Sequence, residues 1–406
     1  LLVFRIAAVI PLPGVPRESL EALFSGNQLF GLLDIFSGGG LSNMSVVMLG
    51  VGPYITASIV MQLLTMIVPR LEEMAKEEGE AGRKKINQWT RLLTVPMSMV
   101  QSFGFINLLT RQGAGAAGMG LQFSPWEMAV AVLTVTAGTM LLMWLGELIT
   151  EQGIGNGISL IIFIGIISRL PQVLAQTVAT WSAEQALTYL SFAAVSVAVI
   201  AGVVMVTEGQ RIIPVSYAKR VRGMRMFGGA STHLPLRVNQ AGVIPIIFAL
   251  SIMLFPGVIA NFFVAAENQT VANGARWVVG LFQDQWFYGV AYFVLVVLFT
   301  YFYTSVTFDP ANIAENLQKQ GGFIPGIRPG RRTSQFLKYV INRITLTGAL
   351  FLGFIAVLPL VMQGVLGLTT MTIGGTALLI VVSVVLETMK QIESQLTMRE
   401  YEGFMK

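Results

Sequence analysis

The sequence contains no cysteine, a single histidine and few charged residues for its length of 406 residues. Without cysteine, disulfides, thiolate nucleophiles and zinc–sulfur sites are excluded. The lone histidine, His233, disfavours a histidine-based metal cluster or a Ser–His triad, and we expect no metal, no cofactor and no catalytic residue. Charged residues make up 12% of the chain, about half of the quarter that is usual in soluble domains. That shortage argues against a soluble protein.

Apolar residues make up 54% of the chain, the balance of a protein that crosses a bilayer repeatedly. The pattern predicts an all-α integral membrane protein with ten transmembrane helices. The apolar stretches, bounded by charges or by glycine and proline, lie near 1–10, 46–69, 89–109, 126–149, 154–171, 187–207, 241–264, 285–305, 344–364 and 371–389. The first is about half a span long, so we expect the natural protein to carry a further N-terminal segment; no cleavable signal peptide is visible.

Lysine and arginine are concentrated in alternate loops. The loops 70–91, 207–240 and 306–343 and the C-terminal tail hold 21 of the 26 basic residues, whereas the opposite loops hold four. The positive-inside rule therefore predicts that both termini lie in the cytoplasm. The loop 147–157, with two glutamates and no basic residue, is the weak point of this assignment.

Matched motifs indicate an internal symmetry of five spans plus five. Spans two and seven each open with a proline followed two residues later by isoleucine, Ile55 and Ile247. Spans five and ten share the order glycine, β-branched, small, leucine, aliphatic, isoleucine, which ends at Ile162 and Ile380. Inverted repeats would bring such matched positions together near the middle of the membrane. Chance is the other explanation, because isoleucine is common in lipid-facing helices.

The predicted spans are nearly free of charge. Ion-coupled transporters bury carboxylates, arginine or histidine within their spans, and no such set occurs here. No metalloprotease, serine hydrolase or P-loop motif is present either. An intramembrane enzyme and an ion-coupled permease are disfavoured, although a secondary small-solute permease and a purely structural scaffold stay open as alternatives.

Two further segments each allow two interpretations. Residues 29–45 mix a short apolar run with three consecutive glycines, which fits either a re-entrant segment buried in protein or a helix on the membrane surface. The basic cluster in the loop 207–240 fits either a topology signal that attracts anionic lipid or a dock for a large anionic partner such as ribosomal RNA.

The chain resembles the SecY family of bacterial protein-translocation channels, nearly end to end. Seven strings carry the resemblance in family order: 36–39 (FSGG), 53–59 (PYITASI), 143–147 (MWLGE), 153–159 (GIGNGIS), 231–235 (STHLP), 241–245 (AGVIP) and 323–330 (FIPGIRPG). The resemblance implies two inverted halves of five helices around a central hourglass pore with a plug and a lateral gate. It also implies a passive pore rather than an enzyme, which passes secretory polypeptides and releases membrane-protein helices sideways into lipid.

The resemblance also implies roles for individual residues. A ring of aliphatic side chains would line the pore, with five of its six positions matched by Val51, Ile55, Ile162, Ile247 and Ile380. The plug would include Leu32, Leu33, Ile35, Phe36, Gly38, Gly39, Gly40 and Leu41. The lateral gate would include Thr56, Gln101, Ser251 and Phe255. The docking surface for the ATPase SecA and the ribosome would include Arg220, Arg222, Arg225, Arg328 and Arg331. Met224, where many relatives carry arginine, weakens the ribosome contact.

The implied partners and location follow from the same resemblance. They are the subunits SecE and SecG, SecA, the ribosome, the translocating polypeptide with its signal sequence, and membrane lipids. The predicted location is the bacterial cytoplasmic membrane. The predicted organisation is an N-terminal half at 1–171, an external hinge loop at 172–186, a C-terminal half at 187–389 and a cytoplasmic tail at 390–406.

Overall fold

The computed structural model describes residues 1–12, 37–41, 43–76, 79–116, 124–152, 155–168, 170–179, 186–217, 220–222, 225–227, 231–264, 268–366 and 375–404. Most of these residues are helical. The helices of the first half of the chain are α1 (Leu2–Ala7), α2 (Gly52–Ile67), α3 (Pro69–Lys76), α4 (Gly79–Ala116), α5 (Pro125–Glu151), α6 (Gly157–Ile167) and α7 (Leu170–Ala179). The later helices are α8 (Ala186–Glu208), α9 (Ile244–Phe263), α10 (Gln269–Gln283), α11 (Gln285–Thr307), α12 (Pro310–Lys319), α13 (Arg331–Leu366) and α14 (Gly375–Phe404).

Local sequence signals determine where several helices begin. Ser124 and Glu127 form a capping box at α5, in which the backbone N–H of Ser124 donates to Glu127 Oε2 at 2.8 Å. The side chains of Asn156, Asp284 and Asp309 accept backbone N–H groups at the starts of α6, α11 and α12. These caps satisfy amide donors that a helix start would otherwise leave unpaired.

The membrane-crossing helices are fewer by length and composition than the ten predicted. Among the described residues, α5, α8, α11 continued by α12, and α13 are long and apolar enough to cross a bilayer. The pair α2 and α3, bent by 105° at its break, would add a fifth. The predicted spans five and seven contain shorter apolar helices, Gly157–Ile167 and Ile244–Met253. The ten-span count and the symmetric halves therefore stay predictions.

The helices pack through close backbone contacts as well as through apolar side chains. A Cβ atom at Gly138 of α5 would lie 2.1 Å from the carbonyl oxygen of Val46, and one at Gly157 would lie 1.9 Å from the carbonyl oxygen of Gly146. Glycine is required at both places because any side chain would collide with backbone. Gly138 thereby lets the segment 43–50 lie directly against α5, and Gly157 lets α6 begin against α5.

The segment before α2 is irregular and buried. Residues 37–41 and 43–50 form successive turns, and most of their side chains are inaccessible to solvent. Leu41, Met44 and Met48 pack with Phe105 of α4 and Val135 of α5. For the described part of 29–45, the interpretation as a surface helix is therefore wrong, because these residues are turns inside the protein.

The all-α prediction is incomplete, because the loop 207–240 contains strands. β1 (Gln210–Tyr217) pairs antiparallel with β4 (Ser231–Arg237), and β5 (Gly322–Phe323) joins the other edge of β1. The short strands β2 (Arg220–Arg222) and β3 (Arg225–Phe227) form a second pair. The local reason is alternation along β1, where Ile213 and Val215 are buried and their neighbours are not.

The two basic loops of the C-terminal half share one small hydrophobic core. Ile213, Val215 and Leu236 from the strands pack with Ile324 and with Leu337 of α13. The pairing of β1 with β5 joins the same two loops through backbone hydrogen bonds. The sequence indicated two separate basic loops, whereas the structure makes them one unit, which we call the hairpin unit (210–217, 220–222, 225–227, 231–237 and 310–341).

We expect Gly138→Ala to destabilise the protein, because the added methyl group would collide with the Val46 carbonyl and force α5 away from the 43–50 segment. Overpacking of this kind costs about 1–3 kcal/mol. The measurement is the midpoint of thermal unfolding of the purified protein in detergent. Gly280→Ala is the matched control, because a Cβ atom there meets no atom within 4 Å. It should leave the midpoint unchanged or raise it, since alanine favours helix. Equal midpoints for both variants would contradict the close contact.

Candidate pore and gate

Five aliphatic side chains predicted to line a pore lie in one hydrophobic cluster. Val51, Ile162 and Ile380 are at most 3% exposed, and Ile55 and Ile247 are partly buried and pack against the same cluster. They come from four helices or helix starts that are far apart in sequence. All five positions therefore belong to the same large hydrophobic cluster.

The matched motifs occupy matched positions in their helices. Ile55 and Ile247 are the fourth residues of α2 and α9, and each helix has proline as its second residue. Ile162 and Ile380 are the sixth residues of α6 and α14, and each helix begins with glycine. At 1.5 Å per residue, all four lie within about two turns of a helix start.

A cavity of about 410 Å³ opens beside this cluster. Ile55, Ile162 and Ile247 line it together with polar side chains. The polar lining residues are Tyr54, Ser58, Gln62, Asn87, Arg91, Glu147, Thr150, Glu151, Asn156, Ser159 and Tyr303. The cavity therefore has a polar wall and an aliphatic part formed by three of the five predicted ring residues.

An ion pair in the cavity wall was missed by the sequence analysis. Arg91 Nε of α4 lies 2.6 Å from Glu147 Oε1 of α5, and both side chains are partly exposed. A pair of this exposure contributes about 1 kcal/mol or less, so its effect is to hold two helix ends in register more than to stabilise the fold. The loop 147–157 has no basic residue of its own, and its Glu147 thus has a basic partner from the loop 70–91. A pairing over 56 residues leaves no local sequence signal.

The predicted lateral-gate residues are only partly joined. Gln101 Nε2 of α4 donates a long hydrogen bond of 3.4 Å to Thr56 Oγ1 of α2. The Ser251 hydroxyl instead donates to the carbonyl of Ile247 in its own helix, at 2.9 Å. Phe255 lies in α9. The helix α9 packs against both α2 and α4, so the predicted seam is a packed contact between helices.

The described part of the predicted plug lies against the first helix. Arg5 Nη1 donates to the carbonyl of Gly38 at 2.6 Å, and a Cβ atom at Gly38 would lie 2.8 Å from the Phe4 ring. Leu41 is buried, and its backbone N–H donates to Ser37 Oγ at 3.0 Å. Gly39 and Gly40 continue the same turns. Leu32, Leu33, Ile35 and Phe36 lie outside the described residues.

The predicted docking arginines all belong to the hairpin unit. Arg220 and Arg222 lie in β2 and Arg225 in β3, where Arg222 and Arg225 are directly paired. Arg328 and Arg331 are exposed. Arg328 stands between two glycines with positive φ, Gly326 and Gly330, and its carbonyl accepts the Thr333 hydroxyl at 3.1 Å. The loop that presents Arg328 is thus a defined turn.

The family model and the curated relatives that match this chain carry the same name. The family model SecY matches residues 45–389. The protein translocase subunit SecY of Corynebacterium glutamicum is 45% identical over 427 residues, covering 100% of this chain and 95% of that protein. The protein of the same name from Mycobacterium tuberculosis is 44% identical over 423 residues, covering 100% and 94%.

Solved structures share the fold at lower identity. A protein conducting channel has a TM-score of 0.64 at 19% identity and covers 97% of this chain and 89% of its own. Sec61 in a canine ribosome-channel complex has a TM-score of 0.62 at 18% identity, with coverage of 97% and 89%. The fold and the apolar cluster beside a polar cavity define a multi-pass membrane protein of the protein-conducting channel class. Within that class, the chain belongs to the SecY family.

Replacing both Ile162 and Ile380 by asparagine should raise ion leak, because two amides in the cluster would let water wet an otherwise apolar constriction. The measurement is conductance of the reconstituted channel in a planar bilayer. The matched control changes the same two helices at exposed positions, Ile167→Asn with Val385→Asn, and should leave conductance at the parent level. Parent-like conductance in the first variant, at equal protein level, would count against the constriction.

Proposed function

We propose that the chain is the channel subunit that passes secretory polypeptides across the bacterial cytoplasmic membrane and releases membrane-protein helices sideways into lipid. The observation that carries the proposal is the cluster of Val51, Ile55, Ile162, Ile247 and Ile380 beside a polar cavity. Membership of the SecY family supports a channel subunit rather than an enzyme. It gives no support to a small-solute permease.

The chemistry of the ring suits a pore for polypeptides. Such a pore must admit every kind of side chain and still block ions. A polar ring would bind some segments too tightly and would conduct ions. Aliphatic side chains offer no specific hydrogen bond to any substrate, exclude water when the pore is empty, and pack around a chain that fills it.

The proposed lateral gate lies between α2 and α4 on one side and α9 on the other. Support comes from the packing of α9 against both helices across this seam, whereas the 3.4 Å hydrogen bond from Gln101 to Thr56 joins α4 to α2 on one side of it. A signal helix leaving through it gains about 25 cal/mol for each Å² of apolar surface that it transfers to lipid.

The energy for export must come from partners, because the sequence contains no P-loop motif. The proposed motors are SecA and the elongating ribosome, and the proposed companion subunits are SecE and SecG. The proposed docking site is the hairpin unit with Arg220, Arg222, Arg225, Arg328 and Arg331. Its basic charge suits anionic RNA and acidic protein surfaces.

The proposed topology has ten spans in two inverted halves, 1–171 and 187–389, joined by an external loop at 172–186, with both termini in the cytoplasm. The asymmetry of basic residues supports this orientation. The matched positions of the four isoleucines in their helices support the inverted halves. Residues 390–406 are the proposed cytoplasmic tail, and in the structure α14 extends through most of it.

Locking the proposed gate should stop transport. We expect that Thr56→Cys with Phe255→Cys forms an oxidised bridge in the resting channel, which requires Cα atoms within about 7 Å. The natural absence of cysteine removes background. In vesicles that hold the channel with SecE and SecA, protease protection of an exported precursor should fall to background after oxidation and return after reduction.

Each single-cysteine variant is the matched control and should export normally under both conditions. Efficient bridging with undiminished export would refute the lateral gate. Loss of export that reduction does not restore would indicate a folding defect rather than a locked seam. Failure of the parent chain to protect any precursor with SecE and SecA present would overturn the proposed function itself.

Arg328→Glu should slow SecA-driven export several-fold while abundance and membrane insertion stay near normal, because the exposed side chain on its turn would repel an acidic partner surface. The measurement is the initial rate of precursor protection at equal channel content. Lys319→Glu is the control, since it makes the same charge change at an exposed residue of the hairpin unit that pairs with Glu315. Equal rates of precursor protection for the two variants would contradict a partner contact at Arg328 and leave it only the role of a basic residue that helps to orient the chain in the membrane.

A further inference from the structure

The helix α10 has three distinct faces, of which only one packs on the protein. Residues Ala272, Ala275, Val279 and Phe282 recur at helical spacing, and the first two are at most 7% exposed. Phe282 packs against the large hydrophobic cluster. The helix lies on both α9 and α11 through this face.

A second face of α10 is apolar but exposed. Gly274, Trp277 and Leu281 follow one another at the same helical spacing, beside Val271 and Val278. Trp277 is 68% exposed and Val271 is 43% exposed, whereas Val278 and Leu281 are half-buried. The third face carries the polar side chains of Asn273 and Arg276. In a helix surrounded by water, the apolar side chains normally face the protein core. In α10 the apolar surface extends beyond the face that packs on the protein.

The exposed face of α10 lies next to a stripe of α11 that faces outward along its length. Asp284 is the C-cap of α10 and the N-cap of α11, so the two helices meet there. From that point Trp286, Val290, Val294 and Leu298 recur at every fourth residue, each between 47% and 83% exposed. Because α11 is a membrane-crossing helix, this stripe is its lipid-facing side. The exposed face of α10 therefore adjoins, through Asp284, the end of α11 at which this stripe begins.

The charge on α10 fits the same surroundings. Arg276 is the only lysine or arginine between Arg237 and Lys319. It lies one residue from Trp277, on the polar face. Tryptophan is enriched at the level of lipid headgroups, where its ring is in lipid and its N–H is hydrated, and a neighbouring arginine reaches headgroup phosphate.

We propose that α10 is an interfacial helix that binds the bilayer surface at the end of the molecule opposite the hairpin unit. Trp277 inserts among the acyl chains near the headgroups, and Arg276 contacts lipid phosphate. The membrane-crossing helix α11 separates α10 from the 310–341 part of the hairpin unit, so the two lie on opposite sides of the membrane. The occupant is bilayer lipid, because α10 joins α11 at Asp284, where the lipid-facing stripe of α11 begins.

The test uses single cysteines in the naturally cysteine-free chain, labelled with a nitroxide. The full channel with its partner subunits is placed in vesicles of phosphatidylethanolamine and phosphatidylglycerol. Collision rates with oxygen, which concentrates in lipid, and with a water-soluble nickel chelate are compared. Trp277→Cys is the probe of the exposed face, and Asn273→Cys is the probe of the polar face. Val290→Cys is the lipid reference, and Lys319→Cys is the water reference.

The oxygen-to-nickel ratio at position 277 should approach that at position 290 and exceed the ratio at position 273 several-fold. Gly274→Cys keeps Trp277 in place and should give the same result, which guards against a disturbance from removing the ring. A ratio at 274 and 277 equal to that at Lys319 would overturn the proposal, because α10 would then project into water. Exclusion of both reagents at 274 and 277 would also overturn it, because a protein partner would then cover the face.

Discussion

The constraint on which the proposed channel depends is a constriction that blocks ions without binding any particular polypeptide tightly. The proposed aliphatic constriction needs side chains from several helices, and Val51, Ile55, Ile162, Ile247 and Ile380, from four helices, belong to one hydrophobic cluster. Each of the four isoleucines lies close to the start of its helix. The described backbone just before α2, α6 and α9 is non-helical, and its polar groups must be satisfied inside the protein, because hydrocarbon cannot satisfy them.

Several local devices meet that requirement. The Asn156 side chain accepts two amides where α6 begins, and the amide of Gly157 donates to the Thr150 hydroxyl at 2.9 Å. Before α2, the chain closes a series of turns and forms a bridge between Pro11 and Ser45, so its amides bond within the protein. The absent side chain of Gly138 lets this buried segment reach α5. These contacts satisfy the backbone at the starts of the helices that carry the proposed ring residues Ile55 and Ile162.

The sequence predicted the features of the fold that depend on short motifs of neighbouring residues. The paired motifs selected Ile55, Ile162, Ile247 and Ile380 before any distance was known, because proline or glycine at a helix start leaves a readable signal. The strands of the loop 207–240 were not predicted, because the alternation of buried Ile213 and Val215 with neighbours that are not buried is too short to stand out beside long apolar stretches. The ion pair of Arg91 with Glu147 joins residues whose separation leaves no periodicity to read. The start of α2 was also missed, because the apolar stretch continues into the buried turns that precede this helix.

The hairpin unit connects to the pore through a short and ordered link. Strand β4 ends at Arg237, and α9, which carries Ile247, begins at Ile244. Between them the amide of Val238 donates to the Gly209 carbonyl, the Asn239 side chain donates to the Gly242 carbonyl, and the missing side chain of Gly348 lets α13 approach the Val238 carbonyl. These contacts hold the short segment between β4 and α9 in place. The proposed docking surface and the proposed ring residue Ile247 are therefore joined through hydrogen-bonded backbone on one continuous piece of chain.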